Sequence, residues 1–92
     1  MILEIVTPEA TLLHSDVESI TLPGVIGEFQ LLDNHAPIVS LLTEGTVKFK
    51  GGNVHIEEQH KDKFKENNGE FKLTIISGTV EMKENKVIVL AD

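Results

Sequence analysis

Leu22-Pro23-Gly24-Val25-Ile26-Gly27-Glu28-Phe29, followed six residues later by His35-Ala36-Pro37, is the stretch whose reading decides the fold. Its residues shape backbone and offer little reactive chemistry. Pro23 fixes φ and has no N–H to donate. Gly24 and Gly27 permit backbone conformations that other residues avoid. Pro37 biases Ala36 toward an extended conformation. The stretch therefore reads as turn, short strand, turn, with Phe29 and Leu31 on one face and Glu28 and Gln30 on the other. A chain that places its most distinctive residues in turns is built to dock onto something.

Outward from this stretch the apolar period is two, not 3.6. Residues 1–7 read as a strand ending at Pro8. Thr11–His14 and Val17–Leu22 read as one further strand, broken by a bulge near Ser15-Asp16. Glu28–Leu32 is the next, and Asp33 to Pro37 turns. Ile38–Leu42 is apolar enough for burial on both faces. Thr46–Lys50 sets Val47 and Phe49 against Lys48 and Lys50. Val54–Glu58 sets Val54 beside Ile56 and reads as another strand. Phe71–Ile76 aligns Phe71, Leu73 and Ile75. Thr79–Lys83 and Lys86–Leu90 flank Glu84-Asn85 as a closing hairpin. Gln59–Gly69 is polar, with Phe64 its only large apolar residue. It reads as an exposed hairpin excursion in preference to a helical turn or a loop, and Asn67-Asn68-Gly69 is its turn signal. Short strands at this spacing predict an antiparallel sandwich or barrel in one domain, residues 1–92.

Composition narrows the function. The 92 residues hold no Cys, Trp or Tyr, so thiolate metal sites and disulfides are excluded and a carbohydrate-stacking platform is not expected. No apolar run approaches the ~20 residues of a membrane helix, and the first residues lack a signal-peptide pattern. Charge is uneven. Residues 1–47 carry seven acids and no Lys, whereas from Lys48 onward eight Lys offset eight acids. This argues against nucleic acid and against direct contact with anionic lipid. The acidic half suits a neutral or basic partner, or simply keeps the chain soluble.

The candidate chemistry is thin. His55 and His60 with Glu57, Glu58 or Asp62 would be a metal site only on a polar segment, and no metal is expected. His14-Ser15-Asp16 resembles a nucleophile set in order alone, because neighbours on a strand point to opposite faces. Gly24-Val25-Ile26-Gly27 lacks the Lys and Ser/Thr of a phosphate-binding loop. No catalytic residue and no cofactor are expected.

Taken together, LPGVIGEFQLLDNHAPIVSLLTEGTV and the closing SGTVEMKENKVIVLAD resemble the epsilon subunit of bacterial F-type ATP synthase. The matching features are Gly27-Glu28-Phe29, His35-Ala36-Pro37, Gly45, Ser77-Gly78-Thr79 and Val89-Leu90-Ala91-Asp92. They run in order through residues 1–50 and 70–92, with Thr79 in place of a usual second glycine. The resemblance implies an all-β fold, a ten-stranded β-sandwich of two five-stranded, mainly antiparallel sheets. It implies a non-catalytic central-stalk subunit that links the gamma subunit to the c-ring and couples ion-driven rotation to ATP synthesis. Its place would be peripheral, on the cytoplasmic face of the bacterial plasma membrane, with membrane association only through partners.

By position, the resemblance puts Gly27, Glu28 and Phe29 toward the c-ring and Thr7, His35 and Ser40 toward gamma, and an interface of the usual size requires some of Ile38, Val39, Leu41 and Leu42 to be exposed to cover gamma. The family usually continues beyond this point into a C-terminal helical hairpin. The chain stops at Asp92, so the resemblance implies neither helix-mediated inhibition nor ATP binding from this polypeptide. Residues 51–69 look longer than the family's usual connection. The competing reading is a free-standing β-sandwich adaptor between proteins, which would show the same alternation without needing the LPG and HAP pair. A small hydrolase would need a converging nucleophile and base, and strand geometry denies it one.

Overall fold

The structure, a computed structural model, describes Met1–Asp92 throughout. Ten strands follow one another along the chain: β1 (Ile2–Val6), β2 (Thr11–Asp16), β3 (Ser19–Gly24), β4 (Gly27–Leu32), β5 (Ile38–Leu42), β6 (Gly45–Lys50), β7 (Lys65–Asn67), β8 (Glu70–Ile75), β9 (Gly78–Lys83) and β10 (Lys86–Ala91). Their pairing divides them into two five-stranded layers, β2-β1-β10-β9-β5 and β4-β3-β6-β8-β7. A single paired position, Gly24 opposite Leu42, joins the two. Every pairing is antiparallel except β1 with β10. The expected ten-stranded, mainly antiparallel sandwich is what forms.

Alternation explains the core. In β6, Val47 and Phe49 are buried while Lys48 and Lys50 point the other way; in β8, Leu73 and Ile75 do the same against Lys72 and Thr74. The first layer contributes Leu3, Ile5, Val80, Met82, Val87 and Val89, and one continuous cluster takes side chains from both layers. Phe49 sits in it with 1% of its surface exposed, stacked on Phe71 (centroids 5.4 Å) and edge-on to Phe64 (5.8 Å). Each such large apolar side chain contributes about 1.5–3 kcal/mol by leaving water.

Four local expectations give way. The segment read as one bulged strand is two strands in different layers. After β2 the chain crosses over at Val17-Glu18, whose N–H groups donate to the carbonyls of Met1 (2.8 Å) and Lys50 (2.7 Å). The bulge lies earlier, where Ile5 faces Leu13 but Val6 faces Thr11, so Leu12 is the extra residue. Val54–Glu58 is not a strand. Val54 and Ile56 do pack against the core, but no neighbouring strand pairs with their backbone, and a 3₁₀ turn over Glu58–Lys63 follows. The polar excursion is therefore half hairpin. Asn68 and Gly69 take positive φ (54° and 81°) between β7 and β8, while buried Phe64 pins the rest to the core. Lastly, β5 is not buried on both faces. Leu42 is buried, yet Val39 is 76% and Leu41 65% exposed, because nothing in the chain covers the outer side of their layer.

The end of the sandwich away from the Gly24–Leu42 junction is tied by charge. The Met1 ammonium donates to Asp33 Oδ1 (2.8 Å), the Val17 carbonyl (3.1 Å) and Asp16 Oδ1 (3.4 Å). Asn85 Nδ2 donates to the same Asp33 oxygen (3.1 Å), and the Asn34 N–H donates to Asn85 Oδ1 (2.7 Å). Hydrogen bonding to Asp33 outweighs burial and raises the Met1 ammonium above its ordinary pKa. The same bond, with the one from Asn85, lowers Asp33. Three segments distant in sequence are held by one carboxylate.

Candidate functional site: an open apolar corner

The β3–β4 hairpin turns through Val25-Ile26, and only Gly27 among its residues takes a positive φ (133°). Ile26 is fully exposed and Val25 63% exposed. Most hairpin tips carry polar turn residues; this one presents two β-branched aliphatics to solvent. Gly24 makes the tip possible. A Cβ there would lie 2.7 Å from the Gly27 carbonyl oxygen and 2.9 Å from the Phe29 ring. The Phe29 ring thus lies against bare backbone.

Beside the tip, β4 and β5 part company. Each is paired along one side only, apart from the Gly24–Leu42 position. Between them lies a groove of about 740 Å³, lined by Gly24 to Phe29 and Ile38 to Leu41. Most of that lining is apolar. Glu28 is its only charged residue, half-exposed, with one carboxylate oxygen 3.4 Å from Lys48 Nζ. An ion pair this exposed is worth about 1 kcal/mol or less, so Glu28 can exchange Lys48 for a partner's cation at little cost. Val25 and Leu41 also border Ile76 and Leu90 around the corner, both exposed, so the apolar surface continues past the groove. An exposed apolar patch rimmed by polar groups marks a place where another molecule docks.

The six site residues separate accordingly. Gly27, Glu28 and Phe29 line the groove, and Ser40 joins them from β5, its hydroxyl donating to the Leu41 carbonyl (3.3 Å). His35 does not reach the groove. It lies past the Leu32 end of β4, where its N–H donates to the Leu32 carbonyl (3.1 Å) and its Nδ1 is 2.7 Å from the Ala36 carbonyl oxygen. Thr7 closes the β1–β2 turn, its hydroxyl and N–H both donating to the Ala10 carbonyl (3.1 and 2.9 Å). Val25, Ile26, Ile76 and Leu90 belong to the apolar corner and were not expected there. The signal for the first two was available: an aliphatic pair between two glycines at a hairpin tip has no core to enter.

Reactive chemistry does not assemble. His14 is exposed on the opposite face of β2 from buried Ser15, whose hydroxyl donates to the Asp16 carbonyl (3.2 Å) and accepts the His55 N–H (2.9 Å). Ser15 is thereby a structural tie for the 51–57 segment. His55 and Glu57 approach to 4.0 Å in solvent, and no three His, Asp or Glu side chains gather as metal ligands would.

The family described as "ATP synthase, Delta/Epsilon chain, beta-sandwich domain" matches the chain over residues 1–92. The chain is 40% identical to the ATP synthase epsilon chain of Campylobacter concisus (strain 13826) over 90 residues, covering 98% of this chain and 59% of that one. To the epsilon chain of Maridesulfovibrio salexigens it is 34% identical over 92 residues, covering all of this chain and 54% of the relative. It therefore spans under two-thirds of the length of these curated relatives. Among solved structures, the central stalk and c-ring of Tetrahymena thermophila mitochondrial ATP synthase contains a chain of the same fold. The TM-score is 0.73 at 16% identity, covering 99% of this chain and 62% of that one.

Proposed function

The chain belongs to the delta/epsilon β-sandwich family of ATP synthase, and from that membership we propose that it is a non-catalytic subunit of the enzyme's central rotor. In this reading it joins the gamma subunit to the c-ring at the cytoplasmic face of the bacterial plasma membrane and turns with both. The observation that carries the reading is the uncovered apolar corner, a docking surface on a protein with no assembled reaction centre. The tip and Gly27-Glu28-Phe29 face the polar loops of the c-ring, with Glu28 offered to a cation there. Gamma lies along β5, from His35 before the strand to Ser40 within it, and covers Val39 and Leu41. Thr7 marks the far margin of that contact. A stable interface buries about 1,600 Å² in total, so the contact extends beyond the groove along the adjoining strand edge. Torque needs a body that does not deform, and two layers locked through one close-packed core provide it.

The test uses the chain as bait on detergent-solubilised membranes from its source. Gamma and c subunits are expected in the eluate. Glu28→Lys, which sets two cations side by side, is expected to lower c-ring recovery about tenfold while gamma stays bound, since a repelling charge at a contact works against association. Recovery of neither subunit, or loss of neither with Glu28→Lys, overturns the proposal.

A further inference from the structure

The outer face of the second layer carries a row of cations that the rotor reading leaves idle. Strand register sets Lys48 on β6 opposite Lys72 on β8, and Lys72 opposite Lys65 on β7. Neighbouring strands are about 4.8 Å apart, so the three lysines span about 10 Å in one line. Lys50 stands on the same face two residues beyond Lys48. Thr21, Thr46, Thr74 and Gln30 surround the row on that face, and Glu70 stands opposite Lys50 at its margin. Like charges directly opposed across strands are unfavourable. Only Lys48 forms an ion pair, with Glu28 at 3.4 Å; Lys50, Lys65 and Lys72 have no carboxylate within 4.0 Å, and the four lysines outnumber the two glutamates of that face. This happens on a chain of net charge −7.

We propose that this face docks a carboxylate-rich segment of a partner protein. None of the chain's larger grooves is lined by these lysines, so the face does not enclose a small anion. Screening selects between the extended occupants. Charges farther than about 8 Å are muted at physiological salt, so a narrow acidic segment lying on the row feels its four lysines, Glu28 and Glu70, and little of the remaining acids. A membrane plane meets the whole body, whose excess of acids repels anionic lipid. The neighbouring hydroxyls and amide can donate to further carboxylate oxygens. This inference is independent of the rotor assignment, and its test contains no ATP synthase component.

The experiment is an NMR titration of the uniformly labelled whole chain with a hexaglutamate peptide, repeated at rising ionic strength. Shifts are expected in residues 46–50, 65–67 and 70–74, with affinity falling as salt rises. Lys65→Glu with Lys72→Glu is expected to weaken binding at least about tenfold, and Lys83→Glu on the other layer to leave it within about twofold. The thermal midpoint of the double variant should stay level or rise, because the Lys48–Lys72 repulsion becomes an attraction while the one between positions 65 and 72 persists with its charges reversed, so lost binding cannot be put down to unfolding. Shifts scattered over both layers, equal weakening by Lys83→Glu, or capture by phosphatidylserine vesicles without peptide binding overturns the proposal.

Discussion

Replacing Gly24 by Ala should destabilise the chain more than a single methyl group would suggest. A new Cβ meets the Gly27 carbonyl oxygen at 2.7 Å and two Phe29 ring carbons at 2.9 Å. The first contact is with backbone at a two-residue turn, which cannot swing aside. The second is with a ring held against the core. Relief requires opening the hairpin or rotating Phe29 out, and overpacking of this kind costs about 1–3 kcal/mol. Taking about 2 kcal/mol, and about 4–8 °C per kcal/mol for a domain this size, the thermal midpoint should fall by about 8–16 °C. Circular dichroism melts and urea titrations read it directly, with the urea slope unchanged because the same surface is exposed on unfolding. Gly52→Ala is the comparison. Its Cβ meets nothing nearer than a Glu18 oxygen at 3.8 Å, and its φ lies outside the positive range, so its midpoint should hold. A Gly24→Ala protein that melts within about 2 °C of the parent, or a Gly52→Ala protein that falls equally far, would refute the close packing of ring on backbone.

Two further outcomes follow from the packing and the charges. The Met1–Asp33 pair should give stability a plateau with two edges. A raised ammonium stabilises fully below its ordinary value of 8.0 and loses that contribution as pH climbs through the higher folded value. A lowered carboxylate stabilises fully above 3.8 and loses its contribution as pH falls through the lower folded value. Urea midpoints measured across pH should therefore fall away on both sides for the parent, and Asp33→Asn should flatten the alkaline edge and shrink the acid one; an unchanged profile would remove the pair from the account. Phe64→Ala should cost about 3 kcal/mol or more, as loss of a buried aromatic does, and should expose the 51–64 amides to hydrogen exchange; protection equal to the parent's would mean that the excursion is held by something else.

How much of this was legible beforehand depends on whether a residue's role is local. The β9–β10 hairpin was, because its alternation is strict and Glu84-Asn85 accepts the positive φ values of its turn (52° and 61°). So was the Phe29 and Leu31 face of β4, fixed by period alone. Val54 and Ile56 were misread because two apolar residues two positions apart look like a strand, yet a strand also needs a hydrogen-bonding neighbour, and no residue announces one. Val39 and Leu41 supported two expectations, burial on both faces and exposure toward a partner, and only the second holds. A strand apolar on both faces has the same sequence whether its second face meets its own chain or a different molecule. At the corner, resemblance pointed to Gly27-Glu28-Phe29, which line the groove, while His35 and Thr7 hydrogen-bond to nearby carbonyls. Their place in any contact rests on resemblance and not on their geometry.

The parallel pairing of β1 with β10 has a consequence for synthesis. The last of the ten strands in chain order, Lys86–Ala91, becomes the middle strand of its layer, between the first strand and β9. A nascent chain short of those six residues has β1 and β9 with no common neighbour, and Val87 and Val89 missing from the centre of the hydrophobic cluster. Non-local pairings must wait for both partners, so this layer cannot close vectorially from its first residue. Strands β8 and β9 can pair with β6 and β5 before then, but translation must pass residue 91 before β1 and β2 are joined to β9.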